Sequence, residues 1–281
     1  MNVEQALLFG KKQLKQCNIE SYAIDAVLLL MKAMSFTKIQ IYTNNHAILT
    51  QKQQKEYLYD LEQRVQGKPI QYITGVCEFM GLPFTVQEGV LIPRADTEIL
   101  VETVLQYHQR EHFQNAIDVC TGTGCIAVSL AKYTDISLYG VDISEKALQT
   151  AQKNAQNNAV SVTWFQSDLF QNVPISLAHF DCIISNPPYI ATKEIQTLMK
   201  SVKCFEPHLA LDGGEDGIDF YRKIVQQSKQ YLKKGAFLFF EIGYQQAKAV
   251  CNILNQNGFV NIAVHKDLAG LDRVVLGQYM I

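Results

Sequence analysis

Residues 116 to 124 read AIDVCTGTG, and this stretch decides the fold class. Its first half, residues 116–120, is short and apolar, as expected for a buried strand. Two glycines follow within residues 121–124, and residues 125–131, CIAVSLA, have the apolar content of a helix. Glycine lets the backbone approach a ligand closely, and the first N–H groups of a helix have no partner inside it. The stretch therefore predicts a strand, a glycine turn and a helix beside a ligand.

Acidic residues follow the next two predicted strands. Residues 136–141 form the second strand, and Asp142 comes directly after it, 20 residues beyond Gly122. Doubly wound folds place a carboxylate against ribose hydroxyls at this offset, although Asp142 could equally cap the helix that follows. Asp168 and Leu169 follow a third strand at residues 162–166, where the edge of an adenine would lie; a simple turn at Asp168 stays open. The glycine spacing falls short of GxGxxG, so phosphate binding is not indicated.

A fourth strand, residues 180–185, leads into the tetrapeptide NPPY at residues 186–189. Asn186 offers a side-chain carbonyl, Pro187 keeps its backbone carbonyl, and Tyr189 supplies a flat ring. Two acceptors that face one NH2 group can orient a weak nitrogen nucleophile. The alternative is a rigid turn, because Asn-Pro and Pro-Pro pairs occur in many loops.

These features all follow strands in an ordered βαβαβ series. Open α/β sheets bind ligands in the crevice at the carboxyl ends of their parallel strands. The series therefore predicts one ligand site built from four successive strand ends.

On residues 118–124, Asp142 and residues 186–189 the chain resembles the class I S-adenosylmethionine-dependent methyltransferases. Three further stretches narrow the resemblance to the release factor glutamine N5-methyltransferases: residues 64–75, 78–98 and 267–274. Residues 205–214 fit the same family. The resemblance implies an α/β fold with a Rossmann-like, mostly parallel seven-stranded sheet and a small N-terminal helical bundle. The implied domains are a helical substrate-docking domain at residues 1–70, a β-hairpin linker at 71–92 and a methyltransferase domain at 93–281.

The implied activity is methyl transfer from S-adenosylmethionine to the side-chain nitrogen N5 of a glutamine. That glutamine belongs to the GGQ motif of class I peptide chain release factors, and its methylation supports translation termination. Asn186, Pro187 and Tyr189 would be catalytic, and together with Pro188 they would bind the substrate carboxamide. The resemblance assigns cofactor binding to Cys120, Thr121, Gly122, Thr123, Gly124, Asp142, Asp168, Leu169 and Asn186.

Two further details come with this resemblance. Pro93, Arg94 and Thr97 belong to a loop that would close over the cofactor. Cys120 stands where members of the family often carry glycine, and we expect the small, commonly buried cysteine to be tolerated there.

The N-terminal region is predicted to be helical at residues 3–17, 24–34 and 51–66. Thr50 is the expected cap of the third helix, and Gly67 is its expected end. The polar faces are rich in Gln and Lys, which on pattern alone indicates a solvated surface. The family resemblance favours docking of a protein substrate instead.

The amino-acid composition limits the classes of function that are compatible with this chain. The chain has 48% hydrophobic and 19% charged residues, a net charge of −2 and a pI near 6.3. We expect a cytoplasmic protein without a membrane span or leader. We also expect reduced thiols, because the seven cysteines form no CxxC pair. No metal site is expected, because the His108–His112 spacing has no third ligand nearby.

Two other functions are compatible with parts of the same pattern. NPPY-type motifs also occur in enzymes that methylate nucleic acid amines, but a nucleic acid substrate needs phosphate contacts that the scattered lysines do not provide. Cofactor binding without catalysis is disfavoured, because a pure binding module has little need for the polar set at residues 186–189.

Overall fold

Six helices form the first of two compact units in the computed structural model, which describes residues 1–177 and 179–281. This unit comprises Met1–Val76 and Met199–Phe205. Its helices span Val3–Gln16, Tyr22–Met34, Lys38–Thr43, Gln51–Val65, Ile70–Thr74 and Lys200–Lys203.

The three long helices of this unit were predicted from their apolar periodicity. The side chain of Thr50 caps the third of them by accepting the backbone N–H of Gln53, and Gly67 follows its end with φ +102°. Tyr57 is fully buried between the helices, and its hydroxyl donates to the carbonyl of Ala6 at 3.0 Å. Lys38–Thr43 and Ile70–Thr74 were missed, because five or six residues are too few to establish a helical period.

A hairpin joins strand β1 (Val76–Phe79) to strand β2 (Leu82–Thr85). Met80 and Gly81 form its turn with φ +51° and +69°, a pair of left-handed residues that matches the right-handed twist of the strands. The hairpin was predicted for residues 71–92, and residues 71–74 at the start of that range are helical instead.

Seven strands form the sheet of the second unit, which comprises Cys77–Leu198 and Glu206–Ile281. They are β3 (Asn115–Val119), β4 (Ser137–Asp142), β5 (Thr163–Gln166), β6 (Phe180–Ser185), β7 (Leu232–Glu241), β8 (Phe259–Lys266) and β9 (Asp272–Tyr279). Their spatial order is β5-β4-β3-β6-β7-β9-β8. Strands β3 to β7 pair in parallel, and β9 is antiparallel to both of its neighbours. The predicted fold, a mostly parallel seven-stranded α/β sheet with N-terminal helices, is confirmed.

Helices cover both faces of this sheet, as expected when right-handed crossovers run from β3 first toward β5 and then, through β6, toward β7. They span Ala95–Glu111, Cys125–Tyr133, Glu145–Asn157, Asp219–Ser228 and Ala247–Gln256. Alternate residues of one strand therefore enter different cores: Ile183 packs into one and Ile184 into the other. Burial on both faces explains why the central strands are continuous apolar runs.

Strand β8 lies at one edge of the sheet and is irregular. Its pairing with β9 shifts register between Val260 and Ala263, and Asn261 has φ +49°. Among the helices in the described ranges, none has the length and apolarity needed to cross a membrane.

Candidate active site

A cavity of about 290 Å³ opens at the carboxyl ends of β3, β4 and β6. It gathers most of the residues that the sequence singled out, including Pro93, Arg94 and Thr97, of which Thr97 lies in the first turn of the Ala95–Glu111 helix and not in a loop. The predicted site residues in its wall are Cys120, Thr121, Gly122, Thr123, Asp142, Asp168, Leu169, Asn186 and Pro188. Gly124, Pro187 and Tyr189 do not line it, and each lies directly beside a residue that does.

The loop after β3 is held from below by Asp118. This carboxylate is fully buried and accepts the Thr121 hydroxyl at 2.5 Å. Burial raises the pKa of Asp118 to about 7, hydrogen bonding opposes the rise, and the charge of Asp142 adds to it. Asp118 thus anchors the loop to the strand.

The two glycines of this loop have different tasks. Gly122 has φ +57°, and a Cβ built there would meet no heavy atom within 4 Å, so its backbone borders open space in the cavity. Gly124 has φ +77°, and a Cβ there would approach Ala151 to 2.9 Å and Trp164 to 3.0 Å. Gly122 leaves room for a ligand, whereas Gly124 allows helix and strand to pack closely.

Cys120 occupies a left-handed conformation, with φ +63°. A side chain at such an angle costs roughly 1–2 kcal/mol compared with glycine. This is the physical reason why glycine suits the position, and it was not visible from the size of cysteine alone.

Asp142 links β4 to the same loop. One carboxylate oxygen accepts the N–H of Gly122 at 2.9 Å, and the other accepts the N–H of Ser144 at 2.9 Å. Burial raises the pKa of Asp142, and these hydrogen bonds oppose the rise. Each oxygen has a further lone pair, so Asp142 supports the loop and can still accept hydroxyl groups from a ligand.

Another part of the cavity wall combines one acid with apolar surface. Leu169 is 5% exposed, Asp168 is exposed, and the wall continues through Ile143 and Phe220. A flat, mostly apolar ring with a polar edge suits such a surface.

Asn186 is oriented by a neighbour on the Ala95–Glu111 helix. Its side-chain nitrogen Nδ2 donates to the Thr97 hydroxyl at 3.2 Å, which leaves the carbonyl oxygen Oδ1 available to accept. Tyr189 points its hydroxyl at Oε1 of Glu241 at 3.3 Å, and its backbone carbonyl accepts Nε2 of Gln246 at 2.8 Å. The tetrapeptide is therefore held at both ends.

A second loop supports the tetrapeptide from behind. Ile190 and Asp212 form a parallel bridge, with the N–H of Gly213 donating to Ile190 at 2.8 Å. A Cβ on Gly213 would lie 2.7 Å from the Cα of Tyr189 and 2.9 Å from the carbonyl oxygen of Pro188. Only glycine allows this backbone approach.

Sequence reasoning missed three residues around the cavity. Asn154 bonds the carbonyls of Thr123 at 2.9 Å and Thr85 at 3.1 Å, but nothing distinguishes it within an Ala/Gln-rich helix. The buried carboxylate of Glu206 forms an ion pair with the partly exposed Arg94, and nothing in the sequence around residue 206 distinguishes it as a partner of that arginine. Glu241 carried a usable signal, because it is a single acid at the carboxyl end of an apolar strand.

Comparisons with known proteins place the chain in a family. Residues 94–213 match the family "Methyltransferase small domain", and residues 5–75 match "PrmC N-terminal domain". A methyltransferase of solved structure from Pyrococcus furiosus shares the fold with a TM-score of 0.54 at 14% identity, over 83% of this chain and 100% of that one.

Two curated relatives match over nearly the full length. The release factor glutamine methyltransferase of Clostridium acetobutylicum is 44% identical, and that of Clostridium botulinum is 41% identical. Each alignment covers 98% of this chain and 98% of the relative. The chain therefore belongs to the release factor glutamine methyltransferase family.

Proposed function

We propose that this protein transfers a methyl group from S-adenosylmethionine to N5 of the glutamine in the GGQ motif of class I release factors. The observation that carries the proposal is the fixed amide of Asn186 in the cavity wall. Its NH2 group is engaged by Thr97, so its free oxygen is an acceptor suited to a substrate carboxamide.

The donor set of the cavity fits S-adenosylmethionine. Asp142 would accept hydrogen bonds from the ribose hydroxyls, and Leu169 and Asp168 would contact the adenine. The open space beside the backbone of Gly122 would leave room for the methionine part of the cofactor. When bound, the cofactor supplies a methyl group on a positively charged sulfur that leaves as a neutral thioether.

Positioning supplies most of the rate in this proposal. The lone pair of an amide nitrogen is delocalised, so no side chain could deprotonate the nitrogen appreciably before attack. Asn186 Oδ1 and the carbonyl of Pro187 would accept the two N–H groups, hold the nitrogen in line with the methyl group and stabilise its developing positive charge. The methyl group replaces one hydrogen, which leaves as a proton.

Residues 1–70 would dock the release factor, and the protein would work in the cytoplasm, where release factors meet ribosomes. The net charge of −2 supports a protein substrate over a nucleic acid.

Incubation with a class I release factor and labelled S-adenosylmethionine tests the proposal. Mass spectrometry of the digested factor should show a gain of about 14 Da on the GGQ glutamine, one CH2 group added by the donor. A factor whose GGQ glutamine is replaced by alanine is the matched control and should stay unlabelled. Label in added RNA or DNA, or no transfer at all, would overturn the proposal.

A further inference from the structure

The first turn of the Ala95–Glu111 helix carries Thr97, whose hydroxyl accepts the side-chain NH2 group of Asn186 at 3.2 Å. Arg94 is the N-cap residue of this helix, and among the described residues no side-chain hydrogen bond caps it. A side-chain cap normally stabilises a first turn, and helix ends are prone to fray. The position of Thr97, and with it the orientation of Asn186, must therefore be secured in another way.

Three side chains on either side of Thr97 are bonded to segments that lie elsewhere in the sequence. These contacts are the ion pairs Arg94–Glu206 and Asp96–Arg273 and the hydrogen bond from the N–H of Met80 to the carboxylate of Glu98 at 2.5 Å. Thr97 itself is 2% exposed and lines the cavity. The turn is held by tertiary contacts in place of a local cap.

One of these contacts ends on Arg273, which is almost fully buried. Its guanidinium donates to the carboxylate of Asp267 at 3.0 and 3.3 Å and to the carbonyl of Ile242 at 3.3 Å. Nη2 carries two hydrogens and lies 3.2 Å from the carboxylate of Asp96 as well. Because the guanidinium is planar and bonded on two sides, Arg273 is a fixed point to which Asp96 is attached.

We propose that Arg273 and Asp96 are positioning residues that hold this first turn in place, so that Thr97 keeps the carbonyl oxygen of Asn186 turned toward the substrate amide. The inference rests on the proposed function, because it concerns how the substrate carboxamide is held. Neither Asp96 nor Arg273 lines the cavity, so both act through other residues. A displacement of positioning groups by about 1 Å can lower a rate roughly 100-fold.

Charge reversal at Asp96 tests the inference, because this side chain is 53% exposed and the fold does not depend on its burial. Asp96→Lys places a like charge against Arg273, and we expect kcat for methylation of a release factor to fall about tenfold. Asp96→Glu keeps the carboxylate and should recover most of that loss. Glu102→Lys is the same charge change on the exposed face of the same helix, and as the matched control it should behave as the wild type.

A double mutant separates positioning from a general loss of stability. If Asp96 acts through Asn186, adding Asp96→Lys to Asn186→Ala should cause no further loss of kcat, because no amide is left to orient. Losses that multiply would overturn the inference.

The side chain of Asn186 also gives a readout that needs no turnover. Its NH2 protons can be followed by NMR in the 15N-labelled protein without ligands, and their signals are identified by their loss in Asn186→Ala. Asp96→Lys should shift these signals, because the hydrogen bond to Thr97 changes, whereas Glu102→Lys should leave them in place. Unshifted signals in Asp96→Lys would refute the inference. A wild-type enzyme that methylates no release factor would instead refute the proposed function.

A folding failure of Asp96→Lys leaves the inference testable through Asp96→Ala, which removes the carboxylate without introducing repulsion. This variant should lower kcat about threefold or more and shift the same NH2 signals, since a single partly exposed ion pair is lost. Wild-type kcat together with unshifted signals in Asp96→Ala would refute the inference.

Discussion

Asn186 joins two roles in one side chain, since its nitrogen is bonded to Thr97 and its oxygen is left for the substrate. We expect Asn186→Ala to lower kcat roughly 100-fold, because a preorganised polar contact to the reacting group is lost. Cofactor affinity should change far less, because Asn186 is only one part of a cavity wall formed mainly by other residues.

Kinetics and cofactor titration of the same preparation check this expectation. Asn252→Ala, on the exposed face of the Ala247–Gln256 helix, is the control. Normal turnover by Asn186→Ala would contradict the assigned role.

Asp118 links stability to pH. Its pKa is about 7 in the folded protein and 3.8 for the free side chain, chiefly because of burial. Between these values the folded state holds one proton that the unfolded state has released, so the free energy of unfolding falls as pH rises. The slope for this proton is about 1.4 kcal/mol per pH unit.

Asp118→Asn should remove that slope, because asparagine does not titrate. Denaturant unfolding of both proteins between about pH 5 and pH 7 measures the difference, in which the contributions of all other groups cancel. Parallel pH dependences would contradict a buried, proton-binding Asp118.

The packing of the Asp212–Gly213 loop against the tetrapeptide depends on one close backbone approach, that of Gly213 to Tyr189. In Gly213→Ala, the added Cβ would lie 2.7 Å from the Cα of Tyr189, so the backbone of residues 188–189 must move. We expect kcat to fall about tenfold or more, since small displacements of positioning groups are costly. The measurement is methylation kinetics on protein whose folding has been verified by circular dichroism.

Gly270→Ala is the comparison for this change. Its φ of +79° makes alanine unfavourable, yet a Cβ there meets nothing within 4 Å. It should reduce stability and leave kcat intact. If both variants lost kcat alike, the loss could not be assigned to displacement of the tetrapeptide, because Gly270 makes no such contact.

Strands and the strand-end motifs were predictable because their signals are local. Phe180–Ser185 has the predicted bounds, since a run buried on both faces is apolar throughout. The hydrogen bond between Asn186 and Thr97 joins residues 89 positions apart in the chain. Residue type alone carries no record of which distant hydroxyl will meet which amide.

The helical unit gives a prediction for the whole chain. If residues 1–70 dock the release factor, a short GGQ peptide lacks most of the binding surface. Its kcat/KM should be about 100-fold or more below that of the intact factor, because binding energy from remote parts of a substrate also supports the reacting centre. The KM for the cofactor should be the same with both substrates. Equal kcat/KM values for peptide and protein would exclude docking by this unit.

The irregular edge strand β8 affects how the protein behaves at high concentration. An exposed edge presents unpaired N–H and C=O groups on which another chain can add a strand. The register shift after Val260 and the left-handed Asn261 break that row, so a foreign strand cannot pair continuously along it. A sheet of seven strands thereby gains protection against edge-to-edge aggregation from the same residues that disturb its regularity.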